Sequence, residues 1–369
     1  MKSILFIAHS SSLHGAERVM LTTIQVAQQA GCAVWVVLPE HAPDEGLHDA
    51  LSEQIGADRI LRLPYRSAGK GLLRTLLVRL FNMPAAWRLS RWCRMNGIDT
   101  VFSDTSVTIL GITVARLGGI RHLWHFHEPP AAFYGWQPSM RGIYRRSLTY
   151  DRNHVIFIAR AQQQAWQQEL GISIAGEVIY NPIAPMPEHA KEAHEGIRIG
   201  YLGSFEARKN VGLLLDTFEQ LHRLYSDTSL WLCGAKDEAE REAWQARTTL
   251  PEPVVQVSRH TGDVAAFYAA IDILVLPSES ETMPLVAVEA MRAGVCVVQT
   301  VHSYLSELYI DDRDCLFVNP DDCSGWLTAL QRCMDAATRE RLARQGQTTT
   351  LQRDYNNLYT NLMSRLLCE

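Results

Sequence analysis

No C-x-x-C pair occurs in this 369-residue sequence, and its eight cysteines (32, 93, 233, 296, 315, 323, 333 and 368) are scattered. Disulfide frameworks and zinc sites need closely spaced ligands, so the thiols are expected to be reduced, as in a cytoplasmic protein. No apolar run approaches the ~18–20 residues of a membrane span. The amino-terminal run from Ile4 to Ala8 is too short for a signal-peptide core. With 23 Gly and 15 Pro, the chain is neither collagenous nor of low complexity. No G-x-G-x-x-G follows the first strand and no P-loop lysine motif occurs, which weakens dehydrogenase and NTPase readings. A formal net charge of −5 gives no reason to expect a nucleic-acid partner. The expectation is a soluble, cytoplasmic protein.

What is present is ordinary globular composition, 47% hydrophobic and 20% charged. At roughly 100–200 residues per domain, the length predicts two domains, each able to bury a core. The opening reads as a buried strand (ILFIA), a polar loop, a helix over 16–29 that stops at Gly31, and a second strand, AVWVVLP. That is a βαβ unit, the building block of a parallel sheet covered by helices. Further strands are predicted at 100–104, 122–127 and 154–159, separated by helical stretches. Around residues 178–196 three prolines and a polar run without periodicity read as a linker. Then strands at 197–203, 229–234, 254–258, 272–278 and 295–300 alternate with helices at 210–225, 237–247, 263–271 and 285–294, and helices run from about Cys323 to the end. Both halves are therefore predicted to be α/β.

The charge is uneven. Residues 1–185 hold 18 Lys and Arg against 13 Asp and Glu, and the remainder 17 against 27. Between Asp58 and Asp99 there is no acidic residue, while Arg59, Arg62, Arg66, Lys70, Arg74, Arg79, Arg88, Arg91 and Arg94 are all cationic. Leu72, Leu73, Leu76, Leu77, Leu80, Phe81, Trp87 and Trp92 are interleaved with them. Cations beside an apolar and aromatic face suit an interfacial helix on anionic lipid. The competing reading is a helical pair whose apolar face packs on its own domain.

The most informative stretch is PSESETMPLVAVEAMRAG, residues 277–294. Pro284 stands where a helix would begin, and the backbone N–H groups of Leu285 and Val286 just after it favour an anion. Glu281 precedes this helix and Glu289 lies within it; taken alone, the pair could equally be a capping carboxylate and a solvated helix residue. In HLWHFHEPP (122–130), strand alternation puts His125 and His127 on one face. Three histidines in six residues also raise a metal site, without a Cys or a well-spaced third ligand to complete it. DDRD (311–314) reads as a solvated turn.

The run P-S-x-x-E-x-x-P-L-V-x-x-E-A-M-x-x-G resembles the signature of retaining, nucleotide-sugar-dependent glycosyltransferases of family 4. The resemblance implies the GT-B fold: two facing Rossmann-like α/β domains with parallel sheets and a deep interdomain cleft. On it, residues 1–180 would bind the acceptor, 181–350 the nucleotide sugar, and 351–369 would form a helix packing back toward the first domain. It further implies that Glu289 holds the ribose and Glu281 lies by the donor sugar and its phosphates, with Met283, Pro284, Leu285 and Val286 lining the donor. GYLGSFEARKN (200–210) is similar to the loop that grips the diphosphate. Gly203 and Lys209 match it, but Ser204 stands where the family usually has Arg, so Arg208 or another cation must compensate, or one charge-assisted bond is missing. Gly15 matches a glycine whose backbone approaches the donor, and His127 a histidine near the sugar hydroxyls. The resemblance implies metal-independent catalysis without a cofactor by His127, Glu281 and Lys209. It also implies an acceptor in bacterial cell-surface polysaccharide synthesis (O-antigen, lipopolysaccharide or capsule), lipid-linked or an oligosaccharide. The basic and apolar residues of 59–98, read by themselves, predict that the first domain rests on the inner face of the plasma membrane and receives a lipid-linked acceptor there. A sugar-nucleotide epimerase of the same architecture and a non-catalytic nucleotide-sugar-binding module are the rival readings.

Overall fold

A computed structural model describes all residues except 14, 41–45, 68–71, 131–137, 185 and 188. Lys70 of the basic run and Pro185 of the linker fall among the exceptions. The chain divides into two compact units, Met1–Pro182 with Tyr355–Glu369, and Ile183–Asp354.

In the first unit the elements run β1 (Ser3–Ile7), α1 (Gly15–Gln29), β2 (Ala33–Pro39), α2 (Gly46–Ile55), β3 (Ile60–Leu63), α3 (Leu72–Met95) and β4 (Thr100–Ser103). They continue with α4 (Leu110–Gly118), β5 (Arg121–Phe126), α5 (Pro138–Leu148), β6 (Asn153–Phe157), α6 (Arg160–Leu170) and β7 (Gly176–Val178). The seven strands form one sheet in the order β3-β2-β1-β4-β5-β6-β7, every pair parallel. Ile4 through Ile7 are fully buried, because a central parallel strand is covered on both faces. One core, including Leu89, Cys93, Val101 and Val114, packs α3 and α4 on one face; another is built from Trp124, Phe126, Tyr144 and Trp166.

The second unit holds β8 (Ile197–Leu202), α7 (Val211–Leu224), β9 (Thr228–Ala235), α8 (Glu238–Gln245), β10 (Val255–Arg259), α9 (Val264–Ala270) and β11 (Ile273–Leu276). After these come α10 (Leu285–Arg292), β12 (Cys296–Thr300), β13 (Leu316–Val318), α11 (Cys323–Met334) and α12 (Ala336–Gln352). Its six strands are again all parallel, ordered β10-β9-β8-β11-β12-β13. The last helix, α13 (Tyr355–Cys368), belongs to the first unit, where Tyr359 Oη lies 2.5 Å from Thr23 Oγ1 on α1.

Two readings need correction. The DDRD segment is not simply a solvated turn: Asp314 is buried, accepts from Thr349 Oγ1 at 2.8 Å and pairs with Arg313 at 2.8 Å, so it anchors α12. In the basic segment there is one helix rather than a pair. Asn82, Ala85, Ala86, Leu89 and Cys93 face the core at helical spacing, while Leu73, Leu77, Leu80 and Trp87 are 56–72% exposed. Trp92 packs edge-on to Trp35 with centroids 5.2 Å apart and is not part of the exposed ridge.

Candidate functional site

In an open parallel sheet the crevice for a ligand opens at the carboxyl ends of the strands where the chain order reverses. That point lies between β8 and β11 in the second unit and between β1 and β4 in the first. Each is lined by polar side chains that the sequence leaves on the loops just beyond those strands.

In the second unit the loop after β8 begins with Gly203 at φ +154°. Gly234 at the end of β9 also has positive φ, and a Cβ there would stand 1.8 Å from the Gly203 carbonyl oxygen, so the two backbones meet only because residue 234 has no side chain. Tyr201 Oη donates to the Ser204 carbonyl at 2.7 Å, which fixes the loop's course; burial pushes that phenol's pKa up. Lys209 closes a single 3₁₀ turn ahead of α7 and donates to Glu281 Oε1 at 2.6 Å. Ser278 Oγ donates to the same oxygen at 2.6 Å. The Glu279 N–H donates to the Arg208 carbonyl at 2.9 Å, which laces the loops after β8 and β11 together, and the Glu281 N–H donates to the His302 carbonyl at 2.9 Å, which ties in the loop after β12.

Lys209 and Glu281, expected to serve one ligand, are thus brought into contact, as an ion pair 18% and 10% exposed. Glu281 does not cap the helix: Pro284 occupies the N-cap position of α10 with no side-chain cap bond, and its carbonyl accepts from the Ala287 N–H. Leu285 and Val286 supply the first-turn N–H groups, whose partial positive charge favours an anion. Met283 and Pro284 are buried. Glu289 is half-buried rather than solvated, and Tyr268 Oη donates to its Oε2 at 2.8 Å. Arg208 turns to Glu206, 3.0 Å away, and Ser204 is exposed, so Lys209 is the cation held between the two loops.

The first unit presents Gly15 at the start of α1, where an added Cβ would meet nothing within 4 Å. The chain itself does not demand glycine there. His125 and His127 do share a face, with ring centroids 4.1 Å apart. His127 Nε2 lies 3.4 Å from Asp104 Oδ1 and His125 Nδ1 lies 4.0 Å from it. All three residues are buried, and burial lowers both imidazole pKa values while raising that of Asp104, to which Glu17 adds. His9 Nδ1 stands 3.2 Å from Glu17 Oε1 beside them. Glu128 accepts from Ser106 N–H at 3.0 Å and Oγ at 2.6 Å, so it fastens the loop after β4. His122 points elsewhere, bonded to Ser103 Oγ at 2.9 Å and Asn153 Oδ1 at 2.6 Å.

Asp104 and Tyr268 escape a reading of motifs, and Ser278, although part of the 277–294 run, carries no assigned role there. Asp104 carries a faint signal, an acid that directly follows an apolar strand; Tyr268 and Ser278 matter only through the side chains they touch.

Comparison with known proteins gives two family models, "Glycosyltransferase Family 4" over residues 13–185 and "Glycosyl transferases group 1" over residues 196–336. An uncharacterized glycosyltransferase of Haemophilus influenzae is 29% identical over 161 residues, 42% of this chain and 44% of that protein. The match therefore spans less than half of that relative. The lipopolysaccharide core biosynthesis glycosyltransferase LpsE of Rhizobium meliloti is 26% identical over 241 residues, 62% of this chain and 68% of that protein. Among solved structures, Anabaena Alr3699/HepE in complex with UDP-glucose superposes over 100% of both chains with a TM-score of 0.77 at 18% identity. That likeness shows a shared GT-B fold of two Rossmann-like, parallel-sheet domains.

Proposed function

The chain belongs to the glycosyltransferases of group 1 and family 4, and on that premise we propose that it moves a sugar from a nucleotide diphosphate sugar to an acceptor hydroxyl with retention of configuration. The observation that carries the proposal is the meeting of Lys209, Glu281 and the α10 N-terminus at the switch point of the second sheet. There the diphosphate would draw Lys209 away from Glu281 and rest on the Leu285 and Val286 N–H groups. A preorganised cation and helix end stabilise the charge that develops on a leaving diphosphate without an enzymic nucleophile. Glu281, released from Lys209 but still held by Ser278, would orient the sugar. Glu289, steadied by Tyr268, would accept from the ribose hydroxyls. UDP-glucose, the ligand of the HepE complex, is the first donor to try.

The acceptor we propose is a lipid-linked glycan of bacterial surface polysaccharide, a reading supported by the likeness to LpsE and by α3. On α3 the exposed ridge of Leu73, Leu77, Leu80 and Trp87 is flanked by Arg79, Arg88, Arg91 and Arg94, the side-chain set of an interfacial helix. No helix among the described residues is long and apolar enough to cross a membrane.

The test is a transfer assay with radiolabelled nucleotide sugars and a membrane extract as acceptor, followed by NMR of the product's anomeric centre. Transfer with the donor's anomeric configuration is expected. Donor conversion without any acceptor, or an inverted product, would contradict the proposal.

A further inference from the structure

Lys209 and Glu281 stand in a conflict that the transfer reaction must resolve. Each serves a different part of the donor, the cation its diphosphate and the carboxylate its sugar, yet they hold each other at 2.6 Å with side chains 18% and 10% exposed. We propose that this pair is an exchange latch, through which the site keeps an intact nucleotide sugar and lets go of the nucleoside diphosphate that transfer leaves behind. The inference rests on the donor reading above and adds to it a discrimination between substrate and product.

Three features of the second unit carry it. The backbones on both sides are fixed, so the exchange is left to the side chains. Lys209 ends the 3₁₀ turn Ala207–Lys209 and is followed by Asn210 in the left-handed conformation at φ 51°, while the Glu281 backbone bridges to Ser303. The pair is also shielded from solvent. Separating a poorly exposed ion pair strands whichever charge gains no new partner, at a cost larger than that of parting a surface pair. Finally, Glu281 has few other partners. Lys209 and Ser278 both donate to Oε1, and among the described residues nothing donates to Oε2.

The consequences differ for the two ligands. A nucleotide sugar takes Lys209 with its diphosphate and offers hydroxyl donors to Glu281, so both charges of the broken pair are satisfied again. Transfer breaks the bond from the anomeric carbon to the diphosphate oxygen, makes one from that carbon to the acceptor oxygen, and leaves the acceptor's proton on the diphosphate. Once the sugar departs with the acceptor, Glu281 has Ser278 alone. Re-forming the pair then withdraws the cation from the diphosphate and favours its release.

Calorimetric titration of the full chain tests this with UDP, ADP and GDP, each beside its glucose ester, the tightest-binding pair being carried forward. In the wild type the ester is expected to bind about 10-fold or more tightly than the bare nucleoside diphosphate. Glu281→Gln should tighten the bare diphosphate roughly 10- to 100-fold, one charge-assisted hydrogen bond no longer having to be broken, and erase the preference for the ester. In a Lys209→Ala background the same substitution should leave the affinity for the bare diphosphate unchanged, since the competition runs through Lys209. An equal gain in that background would reveal mere repulsion between carboxylate and phosphate and would overturn the inference. So would an unchanged diphosphate affinity in a folded Glu281→Gln protein while the wild type binds the ester; the donor reading would then stand. If no pair binds the wild type, the donor reading fails and the inference falls with it. Should Glu281→Gln not fold, the wild type decides: a bare diphosphate that binds as tightly as its ester contradicts the latch.

Discussion

Gly234 shows how far a single missing side chain shapes the second unit. Its φ of +155° and the 1.8 Å that a Cβ would leave to the Gly203 oxygen make alanine doubly unfavourable. Gly234→Ala is expected to destabilise the fold by on the order of 3 kcal/mol, read from urea unfolding, and to disturb the loop that carries Lys209. A neutral substitution would mean that the two backbones do not approach as described. His122 carries a pH signature of its own. Burial holds its pKa down to about 4, below the unfolded value of about 6.5. As the pH falls the unfolded chain takes up this proton first, so the contribution is fully present above about pH 6.5 and is lost on the way down to about 4. Unfolding free energy should therefore fall across that window at up to about 1.4 kcal/mol per pH unit from this group, and His122→Gln should remove that part of the slope. An unchanged slope in the variant would show that His122 protonates equally in both states.

Helix α3 is the element with two apolar faces. One packs into the core through Ala85, Ala86, Leu89 and Cys93, as expected of any amphipathic surface helix. The other exposes Leu73 at 72%, Leu80 at 69% and Trp87 at 56%, beside four arginines. An anionic bilayer would cover this ridge at about 1 kcal/mol per basic residue near the surface. Sedimentation with vesicles containing anionic lipid should pull the protein down at low salt. Replacing Leu77, Leu80 and Trp87 by serine should abolish that while changing stability by no more than about 0.5 kcal/mol for each. No sedimentation of the wild type at low salt would sink the membrane role. The helix also shows what sequence reading can miss: composition announces a basic, apolar stretch, but only packing separates Trp92, set against Trp35, from the exposed ridge.

Across the whole molecule, two parallel sheets place their switch points between β1 and β4 and between β8 and β11. The repeated strand and helix pattern was legible because buried parallel strands are short continuous apolar runs. β3, β7 and β13 were not, since four or three residues at a sheet edge carry no periodicity. Glu281, Glu289 and Lys209 were legible as members of sequence motifs. Their partners were not: Lys209 and Glu281 stand 72 residues apart and meet only because β8 and β11 are neighbours, and Asp104 joins the two histidines only because β4 lies beside β5. In the proposed reaction the switch point of the second unit holds a nucleotide diphosphate sugar with Glu289 on its ribose. Calorimetric titration of nucleotide sugars, UDP-glucose first, into the wild type and into Glu289→Ala tests it most directly. Saturable binding by the wild type is expected, and for the variant an affinity roughly 10- to 100-fold weaker, the loss of a charge-assisted bond worth about 1.5–3 kcal/mol. Equal affinity in a correctly folded Glu289→Ala protein would contradict it.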